Sequence, residues 1–154
     1  MGISGHAIAE NLGYGDGEDM SFEELTFMVK RVVEAVSIPV SVDIDGGYSR
    51  ESKKVNENIA QLIEMGAAGI NIEDSVMIDG KRKLVEPERF AGIIRDIRTF
   101  LDGKNSPFFV NVRVDTYITK HSQPLNETVN RIKEYERAGA DGIFIPFLID
   151  EKEI

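Results

Sequence analysis

The sequence has no cysteine. Without a thiol there can be no disulfide, no thiolate nucleophile and no thiolate-held metal, so chemistry must come from carboxylates, Arg, His, Tyr, Ser or a bound metal. Basic residues are in deficit. Lys plus Arg number 18 against 27 Asp plus Glu, a formal net charge of -9, and that field repels phosphate backbones and anionic lipid. Nucleic acid and membrane are therefore not expected as partners. Long apolar runs are missing, as is a basic segment leading into an apolar one at the N-terminus, so a cytoplasmic protein is expected. At 154 residues, 42% hydrophobic and 29% charged, the chain suits a single globular domain, 1–154, with a sizeable core.

What is present is a hydrophobic pattern that switches repeatedly between helical and strand spacing. Ser21 and Glu24 form a capping box, after which Leu25, Met28, Val29, Val32, Val33 and Val36 recur at helical spacing until Pro39. Val40 to Asp45 follows as a strand, then a helix carrying Val55, Ile59, Leu62 and Ile63, then a strand from Gly69 to Asp74. A third helix starts near Pro87, a strand runs from Phe108 to Asp115, a fourth helix carries Val129, Ile132 and Tyr135, and a last strand spans Gly142 to Phe147. Met65-Gly-Ala-Ala-Gly-Ile-Asn-Ile and Ala138-Gly-Ala-Asp-Gly-Ile-Phe-Ile repeat one helix-to-strand joint. The chain reads as consecutive βα units.

Such units build a closed barrel or an open doubly wound sheet. In an open sheet covered on both faces the strands should be apolar throughout. Here Asp43, Asp45, Asn71, Glu73, Asn111, Arg113 and Asp115 occupy every second position towards the strand ends. A (β/α)8 TIM barrel accounts for this, because inward side chains near its top line the active site. A full barrel takes about 250 residues, and Ile3-Ser-Gly reads like the end of an earlier strand, so a partial barrel is expected.

Asp43, Asp45 and Glu73 fall on inward faces, and Asp16 lies in the Gly-rich loop Leu12-Gly-Tyr-Gly-Asp-Gly. Converging carboxylates are costly without a counter-ion, and a hard divalent cation, most simply Mg2+, would neutralise them. Arg113 supplies a planar fork for a carboxylate or phosphonate. Together they predict a metal site for a small anionic substrate, able to stabilise an enolate. Asp74, Asp115 and Asp141 read as capping or pairing residues. His6 lies in a Ser-Gly-His turn, either lining the site or on the surface, and His121 reads as solvated. Lys81, Arg82 and Lys83 read as an exposed charged loop, one that could close over the site.

Ser4-Gly5 with Leu12-Gly13 and Asp16, Val42-Asp-Ile-Asp-Gly-Gly-Tyr48, Gly69-Ile-Asn-Ile-Glu-Asp74, Val110-Asn-Val-Arg-Val-Asp115 and Ala138-Gly-Ala-Asp-Gly142 together resemble the ordered signature blocks of the isocitrate lyase and phosphoenolpyruvate mutase superfamily. The resemblance implies a TIM barrel of the phosphoenolpyruvate/pyruvate type, covered from the end of the second strand to the sixth. It implies that Asp43 binds Mg2+, with Asp45, Glu73 and Asp16 completing the shell or holding its waters. It further implies that Ser4, the amides of Gly5 and His6, and Arg113 contact the substrate. That substrate would be a 2-oxo or phosphonate carboxylic acid with a C–C or P–C bond next to an enolate oxyanion. Where the lyase branches carry a Lys-x-Cys-Gly-His-type loop, this chain has Ser75 to Val85, and Pro146 stands where the mutase has a His. A phosphonomutase-like or carbon–carbon lyase activity is the first reading. The others are a truncated, non-catalytic barrel that needs missing strands or a partner chain, and an unrelated phosphate-binding barrel. Assembly, including a homo-oligomer, stays open.

Overall fold

The computed structural model describes residues 1–153. In chain order its elements are β1 (Gly2–Ile3), α1 (Gly5–Leu12), α2 (Phe22–Ala35), β2 (Ser41–Asp43), α3 (Ser52–Glu64), β3 (Gly69–Glu73), β4 (Ser75–Ile78), β5 (Lys81–Leu84), α4 (Pro87–Gly103), β6 (Phe109–Arg113), α5 (Pro124–Ala138) and β7 (Gly142–Phe144). Five strands run parallel in one sheet, ordered β1-β2-β3-β6-β7, while β4 and β5 form a separate antiparallel hairpin. Strands that pair in the order in which the chain makes them, with a helix between, form part of a barrel wall.

The repeated joint explains how the wall is kept in register. Gly66 and Gly139 both take left-handed backbones, φ 91 and 104, which stop α3 and α5 at no side-chain cost. Two residues on, the amides of Ala68 and Asp141 donate to the carbonyls of Val40 and Val110 on the preceding strand. At the other end of the helices, the expected capping box is present on α2, and α4 and α5 each begin with proline.

The outward face of the sheet makes the core. Val42, Ile44, Ile70, Ile72 and Val112 are fully buried, as are Leu25, Val29, Ile59, Leu62, Ile94, Ile97 and Leu101 from the helices. Each such side chain contributes roughly 1.5–3 kcal/mol on burial. The opposite face carries the alternate residues. There Gly69 lies under Phe109, and a Cβ on Gly69 would sit 2.6 Å from the Phe109 carbonyl oxygen.

Two elements differ from the sequence reading. Residues 5–12, of which the sequence marks only the Ser-Gly-His turn and the start of the Gly-rich loop at Leu12, form α1, capped by the Ser4 hydroxyl, which accepts from the Ala7 amide at 3.2 Å, and closed by Gly13 at φ 86. Residues 75–84, read as a loop, form the β4–β5 hairpin. The strands are also shorter than expected. Asp45, for example, has φ 47, which ends β2 as a turn.

Gly69→Ala should lower stability by about 1–3 kcal/mol through overpacking. Gly92→Ala, on α4 where an added Cβ meets nothing within 4 Å, should raise it by up to about 1 kcal/mol. Denaturant unfolding of the two variants checks both signs.

Candidate active site at the strand ends

The register places the chemistry. Paired residues of parallel strands face the same side, and Asp43 pairs with Asn71, Glu73 with Arg113. Asp43, Glu73 and Arg113 thus project from one face at the C-terminal ends of β2, β3 and β6, where a barrel keeps its active site. Beyond β2 the chain turns through Asp45, whose carboxylate accepts the Glu18 amide at 3.2 Å. Glu18 in turn accepts from the Tyr48 amide and from both terminal nitrogens of Arg50. These bonds tie the Gly-rich loop to the β2 turn and bring Asp16 to the site.

Asp43 and Asp45 have no Lys, Arg or His within ion-pair distance among the described residues. Burial pushes the Asp43 carboxyl up, against the pull of Arg113 and of the Asp45 and Gly5 amides. Asp45 rises to about 6, through burial first and then through the charges of Asp43 and Asp16. Two adjacent acids are therefore held where their charged forms are costly.

The other acids are compensated by arginine. Arg113 donates from Nε to Asp115 Oδ1 at 2.6 Å and its Nη1 lies 3.2 Å from Glu73 Oε2. Arg82 bonds Glu73, donates to Ser75 Oγ at 2.8 Å and Asp115 Oδ2 at 3.2 Å, and pairs through its other terminal nitrogen with Asp16. Ser75 completes the web by donating to Asp115 at 2.6 Å. Burial raises Asp16, but the hydrogen bond and charge of Arg82, with His6 and Arg113, hold it below its ordinary value.

Arg82 corrects the sequence reading. Lys81 and Lys83 are exposed as expected of a charged loop, but the Arg82 side chain is only 11% exposed. The cause is the hairpin's alternation. Arg82 pairs with Met77 and Leu84 with Ser75, so Arg82 faces the same side as Ser75, towards the acids. Asp79-Gly80, with φ 51 and 70, is the two-residue turn that sets this parity, and Asp-Gly between two short runs is its signal in the sequence. Arg82 bridges Glu73 to Asp16, and among the described residues no three acids or histidines form a ready-made metal cage. Ser75 and Asp115 also belong to the site. The pairing expected of Asp115 occurs, but with site residues.

At the N-terminal side, the Ser4 hydroxyl caps α1. Gly5 is buried against β2, where a Cβ would lie 2.9 Å from the Asp43 carbonyl oxygen, so only glycine fits. His6 stands on the first turn of α1, its ring Nδ1 3.1 Å from Asp16 and its side chain 57% exposed. A cavity of about 430 Å³ opens beside Glu73 and Ser75, with Val76, Ile78, Leu84, Phe90 and Ile93 among its walls and Arg50 and Arg89 also on its lining.

Asp74 turns the opposite way from Glu73. Its carboxylate accepts from the Asp115 amide, from Arg131 and from the Tyr135 hydroxyl, each at 2.9 Å, inside the layer between sheet and helices. Asp141 likewise pairs, accepting the Val110 amide and Arg98. Both are structural, as expected. No helix among the described residues is long and apolar enough to cross a membrane.

A parallel βα wall with carboxylates and arginines at its C-terminal strand ends has the layout of a (β/α) barrel and its site. The chain belongs to the phosphoenolpyruvate phosphomutase family, whose model it matches over residues 1–154. An uncharacterised Mycobacterium tuberculosis protein is 33% identical over 154 residues, all of this chain and 55% of that protein. The structure of phosphoenolpyruvate phosphomutase from Streptomyces platensis superposes with a TM-score of 0.80 at 26% identity, covering 94% of this chain and 51% of the other. Phosphonopyruvate hydrolase, solved with oxalate and Mg2+, gives a TM-score of 0.80 at 29% identity, covering 94% of this chain and 50% of that one. The chain spans about half the length of such relatives, which is the partial barrel expected from the strand count.

Removing the charge of Asp74 strands a buried guanidinium. Asp74→Asn should cost about 3–5 kcal/mol, whereas Glu127→Gln, at the more exposed partner of the same Arg131, should cost less than about 1 kcal/mol. Chemical unfolding of the two variants gives the comparison.

Proposed function

We propose that the chain carries the cation-and-enolate part of an enzyme that makes or breaks a C–C or P–C bond of a small 2-oxo or phosphonate carboxylic acid, with phosphonomutase-like or carbon–carbon lyase activity. The observation that carries this is the pair Asp43 and Asp45, adjacent, largely buried and without a basic partner among the described residues, on the face that also presents Glu73 and Arg113. Such a pair suits a cation. The donors are all oxygen, which fits Mg2+, and Mg2+ needs only one or two carboxylates because it keeps several of its waters. The absence of a three-acid cage is thus compatible with it.

In this reading Asp43 would hold Mg2+ directly, and Asp45, Glu73 and Asp16 would hold its waters. Bound there, Mg2+ would supply Lewis-acid polarisation of a carbonyl or enolate oxygen. The chain's own groups do the positioning. Arg113, already oriented by Asp115, presents a fork to a substrate carboxylate. Ser4, held at the start of α1, and the His6 amide on the first turn offer donors where a helix N-terminus favours an anion, and the Gly5 amide beside them faces the Asp43 carboxylate and would meet a ligand shared with it. His6 stands at this end with its ring exposed and Nδ1 turned to Asp16, within reach of a ligand. The chain itself has no thiol, so none of its own residues serves as a cysteine acid.

Oxalate, a mimic of pyruvate enolate, should bind only in the presence of Mg2+, and Asp43→Ala should abolish that binding. Calorimetric titration of both proteins tests this, and Mg2+-independent binding would remove the assignment.

A second reading, a barrel portion that needs further strands or a partner chain, is favoured by one observation. The outer strands β1 and β7 each have one neighbour, and Phe109 and Phe144 on the inward face are 49% and 46% exposed. Unpaired strand edges and apolar surface favour association. Sedimentation over a range of concentrations should show self-association, and a compact monomer throughout would count against this reading.

A further inference from the structure

The guanidinium of Arg82 is the one cation placed among all the site's compensated acids. It touches Glu73, Asp115 and Asp16 together, from β3, the segment that follows β6, and the Gly-rich loop. Three carboxylates from three segments thus meet on a group that belongs to a fourth, the β4–β5 hairpin. That hairpin pairs with no strand of the main sheet, and its tip residues Asp79, Gly80 and Lys81 are exposed. Arg82 is consequently a largely covered charge on an arm that stands outside the main sheet.

We propose that Arg82 exchanges partners during ligand binding: it neutralises Asp16 and Glu73 while the cation is absent, and anchors the anionic group of the substrate once the cation has taken its place. The inference rests on the cation reading given above. A divalent ion near Asp43 turns Asp16 and Glu73 towards its waters, and Arg82 now holds one oxygen of each, Oδ2 and Oε1, so ion and guanidinium compete. A guanidinium that has lost Asp16 and Glu73 keeps only Asp115, which Arg113 already holds; it is left short of counter-charge, which is costly, and it relaxes either by swinging out with the hairpin or by taking a new anion. A ligand carboxylate or phosphonate is that anion, and the fork of Arg82, like that of Arg113, matches its geometry. The arm therefore makes the site admit cation and anion as a pair. Ser75 and Asp115 steady Arg82 from behind and act on ligand only through it.

The test uses Mn2+ as the cation and oxalate as the anion, on the intact chain, Arg82→Gln, Arg82→Lys and Asp43→Ala. Arg82→Gln should bind Mn2+ alone about tenfold more tightly and, at saturating Mn2+, bind oxalate about tenfold more weakly. Arg82→Lys, which keeps the charge but loses the fork, should retain the weak Mn2+ binding and share the loss for oxalate. A purely structural role would move both ligands in the same direction. Hydrogen exchange of residues 76–83 in the unmutated protein gives the second measurement: exchange should rise with Mn2+ and fall again when oxalate follows. Mn2+ binding that depends on Asp43 but is unchanged or weakened in Arg82→Gln overturns the exchange and leaves the cation site standing. Undiminished oxalate affinity in Arg82→Gln, or a hairpin that Mn2+ rigidifies, also overturns it. Absence of Mn2+ binding in every protein removes the exchange and the cation site together.

Discussion

Two successive carboxylates at the end of β3 set the terms for everything around them. Alternation along a strand sends Glu73 to the inner face and Asp74 to the outer one, and burial makes the charged form of each expensive. Each must be met by its own cation. Arg131, reaching across from α5, answers Asp74, and Arg113 and Arg82 answer Glu73. The same requirement ties α5 to the sheet and the hairpin to the strand ends, so the packing of the wall and the chemistry of the site share one cause.

That arrangement divides the acids of the site into two kinds. Glu73, Asp115 and Asp16 already have guanidinium partners, while among the described residues Asp43 and Asp45 have backbone amides but no basic group in ion-pair contact. Uncompensated charge is the part of the site that still demands a ligand. The left-handed backbone of Asp45 fits the same pattern, since strain of that kind persists where the surrounding structure holds it in place.

Much of this was legible in the sequence because period-2 alternation is strict wherever one face of a strand packs on helices. Val42 and Ile44, Ile70 and Ile72, and Val110 and Val112 announced the core face, and their neighbours Asp43, Glu73 and Arg113 therefore had to share the other. The helix caps were equally plain, from Ser21 to Gly139. What escaped was short and local. α1 is eight residues long and opens on glycine, so its periodicity is too brief to stand out from a turn. Arg82 sits between two lysines, and composition alone made all three look solvated; only the Asp79-Gly80 turn, by fixing which residues pair across the hairpin, separates the middle one from its neighbours. Cross-strand parity, and not charge, was the missing information.

The tightness of that turn has a consequence for how this site can diversify. Two residues link β4 to β5, and with so short a connection the position of every β5 side chain is set by count alone. Inserting or deleting one residue at the tip would rotate Arg82 to the outer surface and bring Lys81 or Lys83 inward, changing a planar fork for a point charge without altering any residue of the barrel wall. Loop length is then a heritable control on which cation faces the acids at the strand ends, separable from the stability of the scaffold.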